Sequence, residues 1–281
     1  MRGLIALGRR FPEIPVLCAL CGACLLAPLF TGAHLPLPPP TELHLDSVLQ
    51  PPSRAHWLGT DMLGRDLLSR LLHGGRTSLA IAAAAALLAM GIGSILGLWA
   101  GHAGGWVDLW VGRLMETTDC LPTLVVALAG AASGYGRGLL PIILIVAVTC
   151  WTDIARLARS EALHWRSTLQ EQGARAAGAG PARLLLRHLL PSALPLLATA
   201  CAITAAEALV VEAGLGLLGF GVEPPQPTWG NLLLEARRML DEAWWQALFP
   251  GVALFLSVAG FVGLAERAGL RPGQISAAGA R

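Results

Sequence analysis

Two carboxylates, Glu207 and Glu212, stand inside an apolar stretch that covers residues 193–217. A charged side chain at membrane depth is costly, so each one is a candidate for a role in a transport pathway. Five residues correspond to roughly 140° around a helix, so the two carboxylates cannot both face one partner squarely. For Glu212 a structural hydrogen bond or ion pair competes with contact to a substrate. For Glu207 the same two alternatives stay open.

Other residue types that carry chemistry lack the spacing that an enzyme needs. The sequence contains no nucleophile–base pattern, no His-Glu-x2-His motif and no pair of catalytic carboxylates. Cys18, Cys21 and Cys24 lie in an uncharged apolar stretch, which favours helix packing over an iron–sulfur cluster. His34, His44 and Asp46 could bind a metal, but a solvated loop is favoured. We therefore expect no catalytic residue, no metal site and no cofactor in this chain.

The 20 basic residues are all arginines, since the sequence contains no lysine. A phosphate-binding P-loop needs a lysine that reaches the β- and γ-phosphates of a nucleotide. The chain therefore has no P-loop, and ATP and magnesium would have to be bound by partner subunits. The net charge of +2 gives no indication of nucleic-acid binding.

The composition indicates repeated burial in lipid. Only 14% of the residues are charged and 54% are hydrophobic, whereas about a quarter of a soluble domain is charged. Arg2, Arg9 and Arg10 precede the first apolar run, and the lack of a clean cleavage site favours an uncleaved signal-anchor helix over a secretory signal. Six segments are long enough to span a bilayer, at about 20 residues per crossing: 14–31, 77–100, 121–139, 140–158, 193–217 and 245–265.

The arginines predict the orientation of these spans. Six spans place both termini on one side, and the positive-inside rule favours a cytoplasmic N-terminus because most of the arginines then lie inside. The polar segment 159–191 is then cytoplasmic, whereas segments 32–76 and 219–243 lie outside. The expected organisation is a signal-anchor helix with an outer loop (1–76), a transmembrane permease domain (77–267) and a short cytoplasmic tail (268–281).

Small residues and prolines predict further local features. Gly93, Gly97 and Gly101 form one flat helix face, for which packing within this chain is favoured over a dimer seam. The glycines from Gly214 to Gly221 predict a loosened or broken helix at the end of the fifth span. Asp61 and Asp66 are expected to pair with nearby arginines and so to fold the outer loop.

The segment 168–195 is the part of the chain best suited to bind a partner. It predicts a short helix of alanine and arginine that stops at Gly178, restarts after Pro181 and leads into a span. This helix is too polar to cross lipid. It could lie on the membrane surface or dock into a groove of another protein.

This segment resembles the coupling loop of permease subunits of bacterial ABC importers, which carry Glu-Ala-Ala-x3-Gly followed by Leu-Pro. Gln172-Gly173-Ala174-x3-Gly178 and Leu190-Pro191 occupy those positions here. Gln172 and Gly173 depart from the pattern, although Glu171 is adjacent. The resemblance implies an ATPase-coupling loop formed by Glu171, Gln172, Gly173, Ala174, Gly178, Leu190 and Pro191.

The resemblance extends over roughly residues 55–260 and is to the dipeptide, oligopeptide and nickel branch of these permeases. The motifs that carry it include His56-Trp-Leu-Gly-Thr-Asp61, Gly104-Gly-Trp-Val-Asp108 and Val222-x-Pro-Pro-x-Pro-x-Trp229-Gly. The C-terminus departs from the branch, because Ala265–Pro272 replaces its Gly-Asp-x-Leu-Arg-Asp motif.

The resemblance implies an all-α polytopic protein of about six transmembrane helices with the MetI-like permease fold, in a bacterial inner membrane. It implies half of a pathway for peptides, nickel or a metal chelate, completed by a second permease subunit. Two ATPase subunits and an extracytoplasmic solute-binding protein are the other implied partners. The alternative is an ion-coupled secondary transporter, which the docking loop disfavours.

The predicted orientation can be tested by cysteine-accessibility labelling. Cysteines introduced at Ser167 or Ser192 should react with an impermeant reagent only from the cytoplasmic side, and one at Ser53 only from outside. Labelling at Ser53 from the cytoplasm alone would refute this topology.

Overall fold

The computed structural model describes residues 38–132 and 138–267. Within these ranges the regular secondary structure is helical, and there is no β-strand. The predicted span 14–31, most of the Gly134–Gly138 connection and the tail 268–281 lie outside them. The helices are α1 (Leu67–Ala103), α2 (Gly105–Asp119), α3 (Thr123–Ala132), α4 (Leu139–Arg166), α5 (Leu169–Ala176), α6 (Pro181–Leu217), α7 (Trp229–Ala236) and α8 (Trp245–Arg267).

Within the described residues, four helices are long and apolar enough to cross a membrane, namely α1, α4, α6 and α8. The prediction of an all-α polytopic fold is confirmed. The third predicted span, 121–139, coincides with α3, whose 10 described residues are too short to cross a bilayer by themselves.

α1 begins earlier than the predicted span 77–100. Asp66 is its N-cap, because the Asp66 carboxylate accepts a hydrogen bond of 2.9 Å from the backbone N–H of Ser69. At 37 residues, α1 is longer than a bilayer crossing requires. Its first turns, before residue 77, therefore lie at a polar end of the molecule, outside the span that hydropathy predicted.

Three glycines bring α1 into contact with the backbone of α4. A Cβ atom at Gly93 would lie 2.7 Å from the carbonyl oxygen of Trp151, and one at Gly97 would lie 2.2 Å from that of Ala155. A Cβ atom at Gly101 would lie 2.6 Å from the carbonyl oxygen of Arg159. Residue numbers rise together on both helices, so α1 and α4 run parallel. The glycine face therefore packs within this chain, as predicted.

α6 is one continuous helix with a π-helical turn at Leu185–Leu189, where the N–H of Leu190 bonds to the carbonyl of Leu185. The predicted loosening is wrong at Gly214 and Gly216, because the helix runs on through both residues. These glycines serve packing instead, since a Cβ atom at Gly216 would lie 2.7 Å from the Cα of Gly230.

α6 ends at Leu217, and the predicted break follows at Gly219, whose φ of +84° is the left-handed conformation that glycine adopts without strain. The N–H of Phe220 bonds back to the carbonyl of Leu215 at 2.8 Å. The stretch between Gly219 and α7 contains no helix, as its prolines predicted.

The glycine contact can be tested by a matched pair of substitutions. Gly97→Val should lower the free energy of unfolding by about 3 kcal/mol or more, because its Cβ would overlap the α4 backbone. A Cβ atom at Gly91, on the same helix, would meet no atom within 4 Å, so Gly91→Val should change the free energy of unfolding by less than about 0.5 kcal/mol. Thermal unfolding of the purified chain in nanodiscs measures both. Equal losses at the two positions would contradict the packing.

Candidate functional site

α5 carries most of the predicted coupling loop and lies at the end of the bundle where α4 finishes. The chain turns directly from α4 into α5, with the N–H of Thr168 bonded to the carbonyl of Trp165 at 3.0 Å. Glu171 is buried, whereas Gln172 and Gly173 are exposed. One face of α5 therefore packs on the bundle and the opposite face is open.

Gly178 ends α5 with a Schellman motif. Its φ is +79°, and the N–H of Ala179 bonds to the carbonyl of Ala174 at 3.0 Å. Gly178 is exposed, and a Cβ atom there would meet nothing within 4 Å. The turn therefore needs glycine for its backbone conformation, and the space beside it is free for another molecule. The predicted helix stop at Gly178 and restart at Pro181 are both present.

The second part of the predicted loop lies on α6. Leu190 is half-buried and Pro191 is exposed, immediately after the π-helical turn. The ring of His188 in that turn stacks on the ring of Trp165 in α4, with centroids 6.5 Å apart. This contact fixes the first turns of α6 against the end of α4.

Ion pairs link α2 to α4 at the same end, and sequence reasoning did not identify them. Arg159 donates hydrogen bonds to both carboxylate oxygens of Asp108, with 2.7 Å from Nη2 to Oδ2. These bonds lower the pKa of Asp108 below its ordinary value. Arg156 pairs with Asp119 and, at 2.6 Å, with Asp153. The two pairs between α2 and α4 gave no signal in the sequence, because their partners are 37 and 51 residues apart.

The structure separates the two intramembrane carboxylates. Glu207 is exposed on the surface of this chain, whereas Glu212 is completely buried. Neither Glu212 oxygen accepts a hydrogen bond of ordinary geometry from a described residue. The hydroxyl groups of Ser78 in α1 and Thr228, the N-cap of α7, lie beside it.

A buried cluster of charges joins the opposite end of α1 to α7. Asp61 Oδ2 accepts from Arg65 Nε at 2.6 Å and from Arg70 Nη1 at 2.5 Å. Arg65 and Arg70 each also donate to the Glu235 carboxylate, with distances of 3.0 Å from Arg65 Nη2 and Arg70 Nη2. We call these four residues the outer clasp. Asp61 and Arg70 are only 1% and 3% exposed.

The predicted pairing of the outer-loop aspartates is therefore confirmed for Asp61 and wrong for Asp66. Asp66 caps α1 and bonds to the ring of His56 at 3.1 Å. The same loop is tied to α8, because Trp245 donates its indole N–H to the carbonyl of Thr60 at 3.3 Å. The outer loop, the start of α1, α7 and the start of α8 thus form one packed unit, which we call the outer block.

Comparison with known proteins links this architecture to transport. Residues 93–268 match the family described as "binding-protein-dependent transport system inner membrane component". The chain is 35% identical to a glutathione transport system permease protein of Pectobacterium atrosepticum, over 90% of this chain and 85% of that protein. It is 37% identical to a di/tripeptide transport system permease protein of Pseudomonas aeruginosa, over 78% and 74% respectively.

A solved structure of the MetNI methionine ABC transporter in inward-facing form has a similar fold. The TM-score is 0.60 at 21% identity, over 75% of this chain and 97% of the other. This similarity confirms the predicted permease fold.

The outer clasp makes a testable contribution to stability. Arg70→Met should lower the free energy of unfolding by about 3 kcal/mol, because Asp61 stays buried with one cation fewer. Arg113→Met is the matched control, since the Arg113–Glu116 pair is exposed and should contribute less than about 1 kcal/mol. Denaturation of both variants in nanodiscs measures the difference. A clasp variant no less stable than the control would show that the cluster contributes nothing.

Proposed function

The chain belongs to the binding-protein-dependent transport system inner membrane components, and we propose that it forms half of the translocation pathway of an ATP-driven importer. A second, different permease chain supplies the other half. Two ATPase subunits bind the cytoplasmic face, and an extracytoplasmic solute-binding protein delivers the cargo. The chain itself hydrolyses no ATP, in keeping with its lack of lysine and hence of a P-loop.

Peptides are the proposed cargo. The relatives described above are named for glutathione and for di- and tripeptides, which favours peptides over nickel or a metal chelate. An ion-coupled secondary transporter is not favoured, because the relatives described above are permease proteins of peptide transport systems and the chain presents an exposed helix, α5, that suits docking.

The exposed face of α5 and the turn at Gly178 carry the proposal. Gln172, Gly173 and Gly178 are exposed at one end of the bundle, while Glu171 anchors the helix from its buried side. A short helix with one fixed face and one open face suits insertion into a groove on an ATPase. Movement of that helix would pass directly into α6, which begins at Pro181.

The proposed orientation places α5 in the cytoplasm and the outer block on the extracytoplasmic side. α1 and α4 run parallel toward α5, so the outer clasp and α5 lie at opposite ends of the bundle. Most of the arginines then lie on the cytoplasmic side, as the positive-inside rule favours.

Glu207 is the proposed pathway residue of α6. It lies near the middle of the predicted span 193–217, which is part of α6, and is exposed in this chain. A carboxylate at this depth is too costly to face lipid, so its surface must meet water or the second permease chain. Glu212 is not proposed to contact cargo, because it is fully enclosed within this chain.

Gly178→Arg tests the coupling role. The arginine should block ATPase docking by its bulk and by strain at positive φ, so uptake and co-purification of the ATPase subunits should both fall at least about tenfold. Membrane abundance should stay normal, because the change lies outside the spans. Uptake of a radiolabelled dipeptide and affinity purification of the complex are the measurements.

Gly178→Asn is the matched control, since asparagine tolerates the left-handed conformation and remains small. It should keep both docking and uptake. Full ATPase binding and normal uptake by Gly178→Arg would refute the assignment of the coupling segment.

A further inference from the structure

The junction of α1, α6 and α7 contains a buried carboxylate with two hydroxyl groups beside it. Glu212 of α6 is 0% exposed, and so are Ser78 of α1 and Thr228 at the start of α7. The hydroxyl groups of Ser78 and Thr228 lie beside the carboxylate, and neither Glu212 oxygen accepts a hydrogen bond of ordinary geometry from a described residue. An intramembrane acid without a cationic partner requires some other group to stabilise it.

The hydroxyl protons are available for that purpose. Ser78 Oγ already accepts the backbone N–H of Trp229 at 3.1 Å, and Thr228 Oγ1 accepts that of Asn231 at 3.2 Å. A hydroxyl has one proton to donate as well as lone pairs to accept. Both hydroxyl oxygens already accept a backbone N–H group, and the Glu212 carboxylate is an acceptor that lies beside both hydroxyl groups. Each hydroxyl therefore has a proton that it can donate to the carboxylate, next to the positive N-terminal end of α7.

Close backbone packing holds the three helices at this junction. A Cβ atom at Gly230 of α7 would lie 2.9 Å from the carbonyl oxygen of Ala213, next to Glu212 on α6. One at Gly74 of α1 would lie 3.3 Å from the carbonyl carbon of Thr228. Trp229 is fully buried and donates its indole N–H to the carbonyl of Leu71 at 2.9 Å. The start of α7 is thus wedged between α1 and α6.

α6 connects this junction to the proposed coupling segment, which consists of α5 and the turn at Gly178. The helix runs without interruption from Pro181, beside the Gly178 turn, to Leu217, beyond Glu212. The 22 steps from Leu190 to Glu212 correspond to about 33 Å at 1.5 Å per residue. The far side of α7 is fixed by Glu235 in the outer clasp. α7 therefore lies between α6 and the rest of the outer block.

We propose that Glu212, with Ser78 and Thr228, is the contact through which α6 passes movement of the coupling segment to the outer block. Glu212 is a positioning residue, which acts on the pathway through α7 and does not touch the cargo. This inference rests on the proposed function, since it requires ATPase subunits that act on α5.

The test uses a fluorescent reporter on the outer block of the complete transporter complex. Leu240 is 51% exposed beyond the end of α7, so Leu240→Cys can carry a bimane label once the native cysteines are replaced by serine or alanine. The complex in nanodiscs is compared before and after trapping with ATP and vanadate. The reference complex should show a spectral shift without any cargo, and absence of that shift would overturn the proposal.

Glu212→Leu is the decisive variant. Leucine has a similar volume but leaves the buried hydroxyl protons of Ser78 and Thr228 without this acceptor, at a cost of about 1–3 kcal/mol each, so the shift is measured on assembled complexes isolated by size exclusion. The trapping-induced shift should nevertheless fall at least about fivefold, the lower end of typical allosteric coupling. Glu212→Gln keeps an acceptor oxygen and should restore the shift. A normal shift in assembled Glu212→Leu complexes would overturn the proposal.

A second pair of variants separates transmission from folding. Thr228→Val keeps the shape of threonine and removes its hydroxyl, whereas Thr228→Ser keeps the hydroxyl. Only the valine variant should lose the shift. Ser257→Ala is the control, since Ser257 is buried and bonds only within α8, to the carbonyl of Ala253 at 2.8 Å.

Co-purified ATPase distinguishes the two levels of failure. If the reference complex does not retain the ATPase subunits, the proposed function is refuted. If the subunits are retained but the shift is unaltered in every variant, only the role of Glu212 is refuted. Failure of both Glu212→Leu and Thr228→Val to assemble would indicate a purely structural junction and would also overturn the inference.

Discussion

Backbone contact between α1 and α4 is the interaction on which the rest of this structure depends. Helices in lipid gain little from burying apolar side chains against one another, so close van der Waals packing must hold them together. Gly93, Gly97 and Gly101 provide that packing along successive turns of α4. Because the two helices are parallel, their alignment also decides which segments share an end of the molecule. This closely packed pair therefore holds α5 and the outer block at opposite ends of the bundle.

Charged groups follow the same division. The outer clasp stands at the start of α1, and the Asp108–Arg159 pair stands near the end of α4. Long-range pairs of this kind fix neighbouring segments where the helices leave the apolar layer. Between these ends, Glu207 and Glu212 are acids on a single apolar helix, and each is accommodated differently. Glu207 is exposed on the surface of the chain, whereas Glu212 is buried with two hydroxyl groups beside it.

Sequence patterns predicted the features that depend on local chemistry. Hydropathy located the four long helices, Gly178 and Pro181 marked the turn after α5, and the glycines of α1 indicated a packing face. Features that depend on distant partners were not predictable. Nothing near Asp61 indicates that Glu235 completes its cluster. Helical geometry separated Glu207 from Glu212 by angle, but it could not show which one was enclosed. Gly214 and Gly216 were misjudged because glycine in a membrane helix serves close packing as readily as a break.

The π-helical turn at Leu185–Leu189 affects how this chain should be aligned with its relatives. A turn of this kind accommodates one residue more than an α-helix of the same length. The residues before the turn are therefore rotated by about 100° around the helix axis relative to the residues after it, compared with an uninterrupted α-helix. A relative with an uninterrupted α-helix here would keep the same faces only if it lacked one residue. A single-residue gap between Pro181 and Glu212 would then record a change of helical phase and not a change of loop length.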